Sequence, residues 1–118
     1  MALTKSAGTL LASQAVAAAT TVTGASVNLT AIYGGEYLWK ITNGASAPTS
    51  VPTIEIQVSN DGTEWVRKHF ITGDVAASSV NSLAIPFGVG VMYSRAIFVG
   101  GASNGSTMEV LLSEITGY

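Results

Sequence analysis

His69 is the one histidine in the chain, so it is the one side chain whose ordinary pKa suits proton transfer near neutral pH. It stands mid-run between Lys68 and Phe70, and no Gly-x-Ser-x-Gly elbow is expected to supply a nucleophile for it. A histidine so placed reads as a structural or surface strand residue. Paired carboxylates could act without it. Asp61 and Glu64, however, fall at a turn, where Asp61 suits the turn geometry, and Asp74 follows Gly73 in another turn. Glu109 and Glu114 fall on opposite faces of any strand that holds both. The chain has no cysteine, and one histidine with scattered carboxylates gives no ligand spacing for zinc or calcium. Gly88-x-Gly90 lacks the third glycine and the following helix of a dinucleotide site. Enzymatic activity, a metal and a cofactor are therefore not expected.

Binding is the chemistry that remains. Trp39, Trp65, Tyr33, Tyr37 and Tyr93 could stack on a sugar, with Arg67, Arg95 or Asn60 as polar partners. Trp39 falls on an apolar stripe and belongs in a core, whereas Trp65 follows a tight turn, where it would cap the end of a sandwich. The candidate binding residues are Trp65, Arg67, His69, Tyr93 and Arg95, for either a protein interface or a glycan. Two Asn-x-Ser/Thr triplets, at Asn28 and Asn104, are too short a motif to carry weight.

The elements that must position these residues are strands. Thr53–Ser59 alternates Ile54, Ile56 and Val58 with Thr53, Glu55, Gln57 and Ser59, the pattern of a half-buried strand in an antiparallel sheet. Asn60-Asp61-Gly62 can take positive φ, so residues 64–71 should return as a hairpin partner. Further strands are expected at residues 36–42, 80–85 (closed by Pro86), 91–99 and 107–115, and weaker ones at 8–16 and 25–30. Ala15–Ala19 is the one helix candidate, and the Thr-rich, β-branched run after it argues against a helix. The expectation is an all-β fold: an antiparallel β-sandwich of about eight strands, with the jelly roll among its forms. It forms a single domain over residues 1–118, in which residues 1–20 could serve as an extended N-terminal arm. Residues 64–71 and 91–99 each carry apolar groups on both faces, so the outward set needs a cover from a loop or a neighbouring subunit.

Composition says what kind of surface this is. Charged residues make up 10% of the 118, where roughly 25% is usual. A folded monomer of 12.0 kDa exposes roughly 6,000 Å², which leaves about 500 Å² per charge. Such a skin resembles the charge-depleted core of an interface more than a free surface. With a net charge of −2 and no basic run, nucleic acid has no electrostatic hold on the chain. No apolar run is long enough to span a bilayer as a helix. Ala7–Ala19 imitates a signal peptide, but Gly8, Ser13 and Gln14 interrupt it and no basic cluster precedes it, so it does not read as one.

The runs Trp39-Lys40-Ile41-Thr42-Asn43-Gly44-Ala45-Ser46-Ala47-Pro48-Thr49 and Ile54-Glu55-Ile56-Gln57-Val58-Ser59-Asn60-Asp61-Gly62-Thr63-Glu64-Trp65 resemble small virion structural proteins of tailed bacteriophages. Thr9–Leu29 and Tyr93–Val99 extend the likeness over most of the chain. The resemblance implies a β-sandwich of the head decoration or cement type, located on the virion. It also implies a homo-oligomer, trimer or dimer, with the major capsid protein or other virion proteins as partners. The hairpin also occurs in discoidin-like and other carbohydrate-binding sandwiches. A carbohydrate-binding module or a receptor-binding domain of a tail or fibre is the alternative.

Overall fold

The computed structural model describes residues 3–117, and every element in it is a strand. In chain order these are β1 (Thr4–Val16), β2 (Thr21–Thr23), β3 (Val27–Asn28), β4 (Gly35–Asn43), β5 (Thr53–Ser59), β6 (Val66–Thr72), β7 (Val80–Phe87), β8 (Tyr93–Val99) and β9 (Ser106–Gly117). One sheet has the order β1-β9-β4-β7 and the other β2-β8-β5-β6, with β3 also on β8. All pairings are antiparallel.

The pairings β1–β9, β2/β3–β8, β4–β7 and β5–β6 nest one inside the next, as in a single long hairpin. Folding that hairpin over brings β9 against β4 and β8 against β5. Counting the interrupted β2/β3 as one, eight strands wound this way make a jelly roll.

Between the sheets, Tyr37, Trp39 and Ile41 of β4 and Met108, Val110 and Leu112 of β9 meet Ile54 and Ile56 of β5 and Ala96 and Phe98 of β8. Tyr37 crosses the gap, with its hydroxyl 3.0 Å from Ser94 Oγ. Gly35 opens β4 where the β9 backbone passes close by. A Cβ there would lie 1.8 Å from the Ser113 carbonyl oxygen, so only glycine fits.

Several boundaries differ from the sequence reading for local reasons. β7 continues through Pro86 to Phe87 because it is an edge strand, where a missing N–H costs no ladder bond. The hairpin partner starts at Val66, since Asp61 Oδ1 accepts from the amides of Thr63 and Glu64 and holds them in the turn. Thr21–Thr23 is a further short strand, and residues 25–30 contribute only Val27 and Asn28. The segment read as a possible arm is mostly β1, paired along its length with β9; Met1 and Ala2 lie outside the described residues.

Candidate functional site

The outer face of the β2-β8-β5-β6 sheet holds four of the five candidate residues. Burial alternates along β8, so Ser94, Ala96 and Phe98 face the core while Tyr93, Arg95, Ile97 and Val99 face out. On β5, Glu55 and Gln57 face out beside them, Gln57 opposite Arg95 and Glu55 opposite Ile97. Arg95 Nε donates to Gln57 Oε1 at 2.7 Å, and its guanidinium carbon lies 4.5 Å from the centre of the Trp65 ring. Gln57 Nε2 in turn donates to Glu55 Oε2. Glu55 Oε1 accepts from Arg67 at 2.9 and 3.1 Å, and the Arg67 guanidinium covers Phe70 at 4.6 Å. The result is a continuous chain, Trp65–Arg95–Gln57–Glu55–Arg67–Phe70, across three strands. Tyr93 sits at the end of the same face, against the Gly62 turn.

His69 is turned the other way. Strict alternation would put it with Trp65 and Arg67, but the β5–β6 register shifts between Ile56 and Gln57. Arg67 pairs with Gln57 and His69 with Ile56, which leaves Lys68 as the extra residue of a β-bulge. His69 and Ile71 therefore face inward, and the His69 ring meets the edge of Tyr37 at 6.3 Å between centroids. Its Nε2 is buried without a hydrogen-bond partner, and desolvation, followed by the nearby Lys68 charge, lowers its pKa. The bulge re-sorts the apolar residues of 64–71 between the two faces without clearing either one. Ile71 enters the core, while Phe70, 50% exposed, lies outside under Arg67.

The five aromatics do not form one platform. Tyr37 and Trp39 are core residues, Tyr33 lies in the loop after β3, and one face of the Trp65 ring carries Arg95 where a sugar would stack. Glu55, Gln57 and Phe70 were not singled out from the sequence. The signal was there, because Glu55 and Gln57 are the polar side of the most regular strand.

The turns are held by carboxylates. Asp61 accepts from Ser59 Oγ as well as from the two amides, and these bonds, the Glu64 amide first, lower its pKa. Asp74 accepts from Asn81, Ser79 and the Ala76 amide, which lowers its pKa likewise. Among the described residues no three His, Cys, Asp or Glu side chains converge as a metal site would require. Contrary to the expectation that no such motif is present, Gly101-Ala102-Ser103-Asn104-Gly105 has the Gly-x-Ser-x-Gly letters of a nucleophile elbow. It joins strand to strand rather than strand to helix, and Ser103 Oγ is hydrogen-bonded to Thr49 Oγ1 at 2.9 Å.

The outer face of the other sheet is built differently. β4 presents Leu38 and Lys40, β9 presents Glu109 and Leu111, and β7 presents Ser82 and Ala84 around a shallow groove of about 260 Å³. Its charges are not tied to one another. Among the described residues the one ion pair is Arg67–Glu55, on the opposite face.

No family model and no curated protein matches the chain. Solved structures do share its fold. A chain of Bacillus endospore appendages, described as a novel family of disulfide-linked pili, superposes with a TM-score of 0.57 at 17% identity, covering 100% of this chain and 93% of that one. A chain in the structure of infectious bursal disease virus, Gx strain, superposes with a TM-score of 0.58 at 13% identity. That match covers 99% of this chain but only 32% of the viral one, so this protein spans about a third of the length of that relative. At such identities the likeness is one of fold.

Proposed function

We propose that this protein is a structural component of a larger particle and acts by non-covalent binding alone, most specifically as a head decoration or cement protein of a tailed phage. The carrying observation is the surface. An accessible area of 5980 Å² is shared among twelve charged residues, while Val66, Leu83 and Phe70 are each half or more exposed. A protein that works alone in solution gains nothing from such a skin, whereas one that covers subunit junctions buries it at about 25 cal/mol per Å² of apolar area before association costs.

Two further observations support the reading. The jelly roll is an architecture shared with chains from a virus particle and from a pilus. The absence of cysteine means that the disulfide linkage named for the pilus has no counterpart here, so contacts between subunits would rest on packing. The partners in this reading are the major capsid protein and further copies of the same chain.

The test is add-back. Purified protein mixed with virions assembled without it should co-sediment to a fixed, saturable number of copies per particle. Failure to bind such particles at any concentration overturns the reading.

A further inference from the structure

We propose that the outer face of the β1-β9-β4-β7 sheet is a self-complementary docking surface for a second copy of this chain, related by a two-fold axis. This deepens the assembly reading by naming the face and its first occupant, and it rests on that reading only in part, since pairing of two copies needs no particle.

The two outer faces differ in how their charges are satisfied. On the β2-β8-β5-β6 side, both arginines are held by Glu55, Gln57 and aromatic rings of the same chain. On the other side, Lys40 and Glu109 are direct cross-strand neighbours, yet no ion pair joins them. Next to this row lies an apolar one, in which Leu38 is paired across to Leu111 on β9 and to Ala84 on β7. Leu111 is 37% exposed, which is unusual for a leucine at the centre of a sheet.

The register supplies the complementarity. Consider a two-fold axis lying in the interface, parallel to the strands and midway between β4 and β9. Rotation about it lays β4 of one copy over β9 of the other at the same height. Lys40 then meets Glu109 of the second copy, and Leu38 meets Leu111, each contact occurring twice, as an isologous interface requires. A cross-strand pair within one chain becomes a contact between chains. A sheet of four strands about 4.8 Å apart, with roughly seven residues of ~3.4 Å each, has a footprint of roughly 450 Å². Side-chain relief raises the accessible area above that, so two copies would bury roughly 1,000 Å² or more, the size a specific interface needs.

Charge reversal tests the pairing, with sedimentation equilibrium as the readout and circular dichroism to check that each variant is folded. The wild-type chain should be a dimer at micromolar concentration. Lys40→Glu and Glu109→Lys should each weaken the dimer at least tenfold, and the double variant, which restores opposite charges at both contacts, should dimerise as the wild type does. A wild-type monomer, a dimer indifferent to both single reversals, or a double variant no better than the singles would each overturn the proposal. Particle binding is scored separately by co-sedimentation. A monomer that still coats particles overturns this pairing and leaves the assembly reading intact; a dimer that coats none does the reverse.

Discussion

The Tyr37 hydroxyl reaches across the sandwich to Ser94 Oγ at 3.0 Å, fully inside the core, and ties β4 of one sheet to β8 of the other. Ser94 Oγ spends its own proton on the Gln57 carbonyl at 2.9 Å, so the tyrosine is the donor. The two ends of this bond are unequal. Tyr37→Phe removes one hydrogen bond and leaves Ser94 satisfied, which should cost about 1 kcal/mol in chemical denaturation. Ser94→Ala strands a buried hydroxyl and should cost about 1–3 kcal/mol despite being the smaller change.

Gly35 gives the sharpest packing prediction. With a Cβ 1.8 Å from the Ser113 carbonyl oxygen and φ at +156°, Gly35→Ala must push β9 off β4. Loss of about 3 kcal/mol or more, or no soluble protein, is expected. By contrast Gly88→Ala, where an added Cβ meets nothing within 4 Å, should leave the melting temperature unchanged.

Stability should fall in two stages as pH drops. His69 has its pKa lowered from 6.5, so the unfolded chain takes up its proton first. Its contribution is whole above pH 6.5 and is lost as pH falls below that value. Asp61 and Asp74 are lowered from 3.8, so theirs is lost only below about pH 3.8. His69→Leu should remove the first decline and keep the second; Asp74→Asn should shrink the second alone. Denaturation midpoints at closely spaced pH values separate the two.

The hairpin and the regular strands were legible because their local signals agree with their tertiary role. Ile54, Ile56 and Val58 alternate as an edge-free central strand must, and Asn60-Asp61-Gly62 turns where it should. What sequence could not give is pairing at a distance. Nothing local in Lys68 announces a bulge, because the bulge belongs to its register with β5, and so alternation followed along the chain alone puts His69 with Arg67, on the face it turns away from. Pro86 misled for the same kind of reason: whether proline ends a strand depends on whether another strand lies beside it. Likewise the chain from Trp65 to Phe70 joins three strands and becomes visible only when they are aligned.

Trp65 and Arg95 should behave as a coupled pair. Each alanine variant is expected to cost about 1 kcal/mol, with a double-mutant coupling of about 0.5–1 kcal/mol from the stacked guanidinium. Trp65→Ala should leave glycan binding unchanged at background, since the ring is engaged by its own chain. Glycan-array binding by the wild type that vanishes in this variant would favour the carbohydrate reading.

The thermal stability of virions decides whether this chain reinforces a shell. Particles assembled with and without this protein are heated at low salt while genome release is followed by dye fluorescence. Particles lacking the protein should release their genome at a lower temperature, and adding the purified chain should restore the higher one. Identical release temperatures for coated and bare particles would contradict that role.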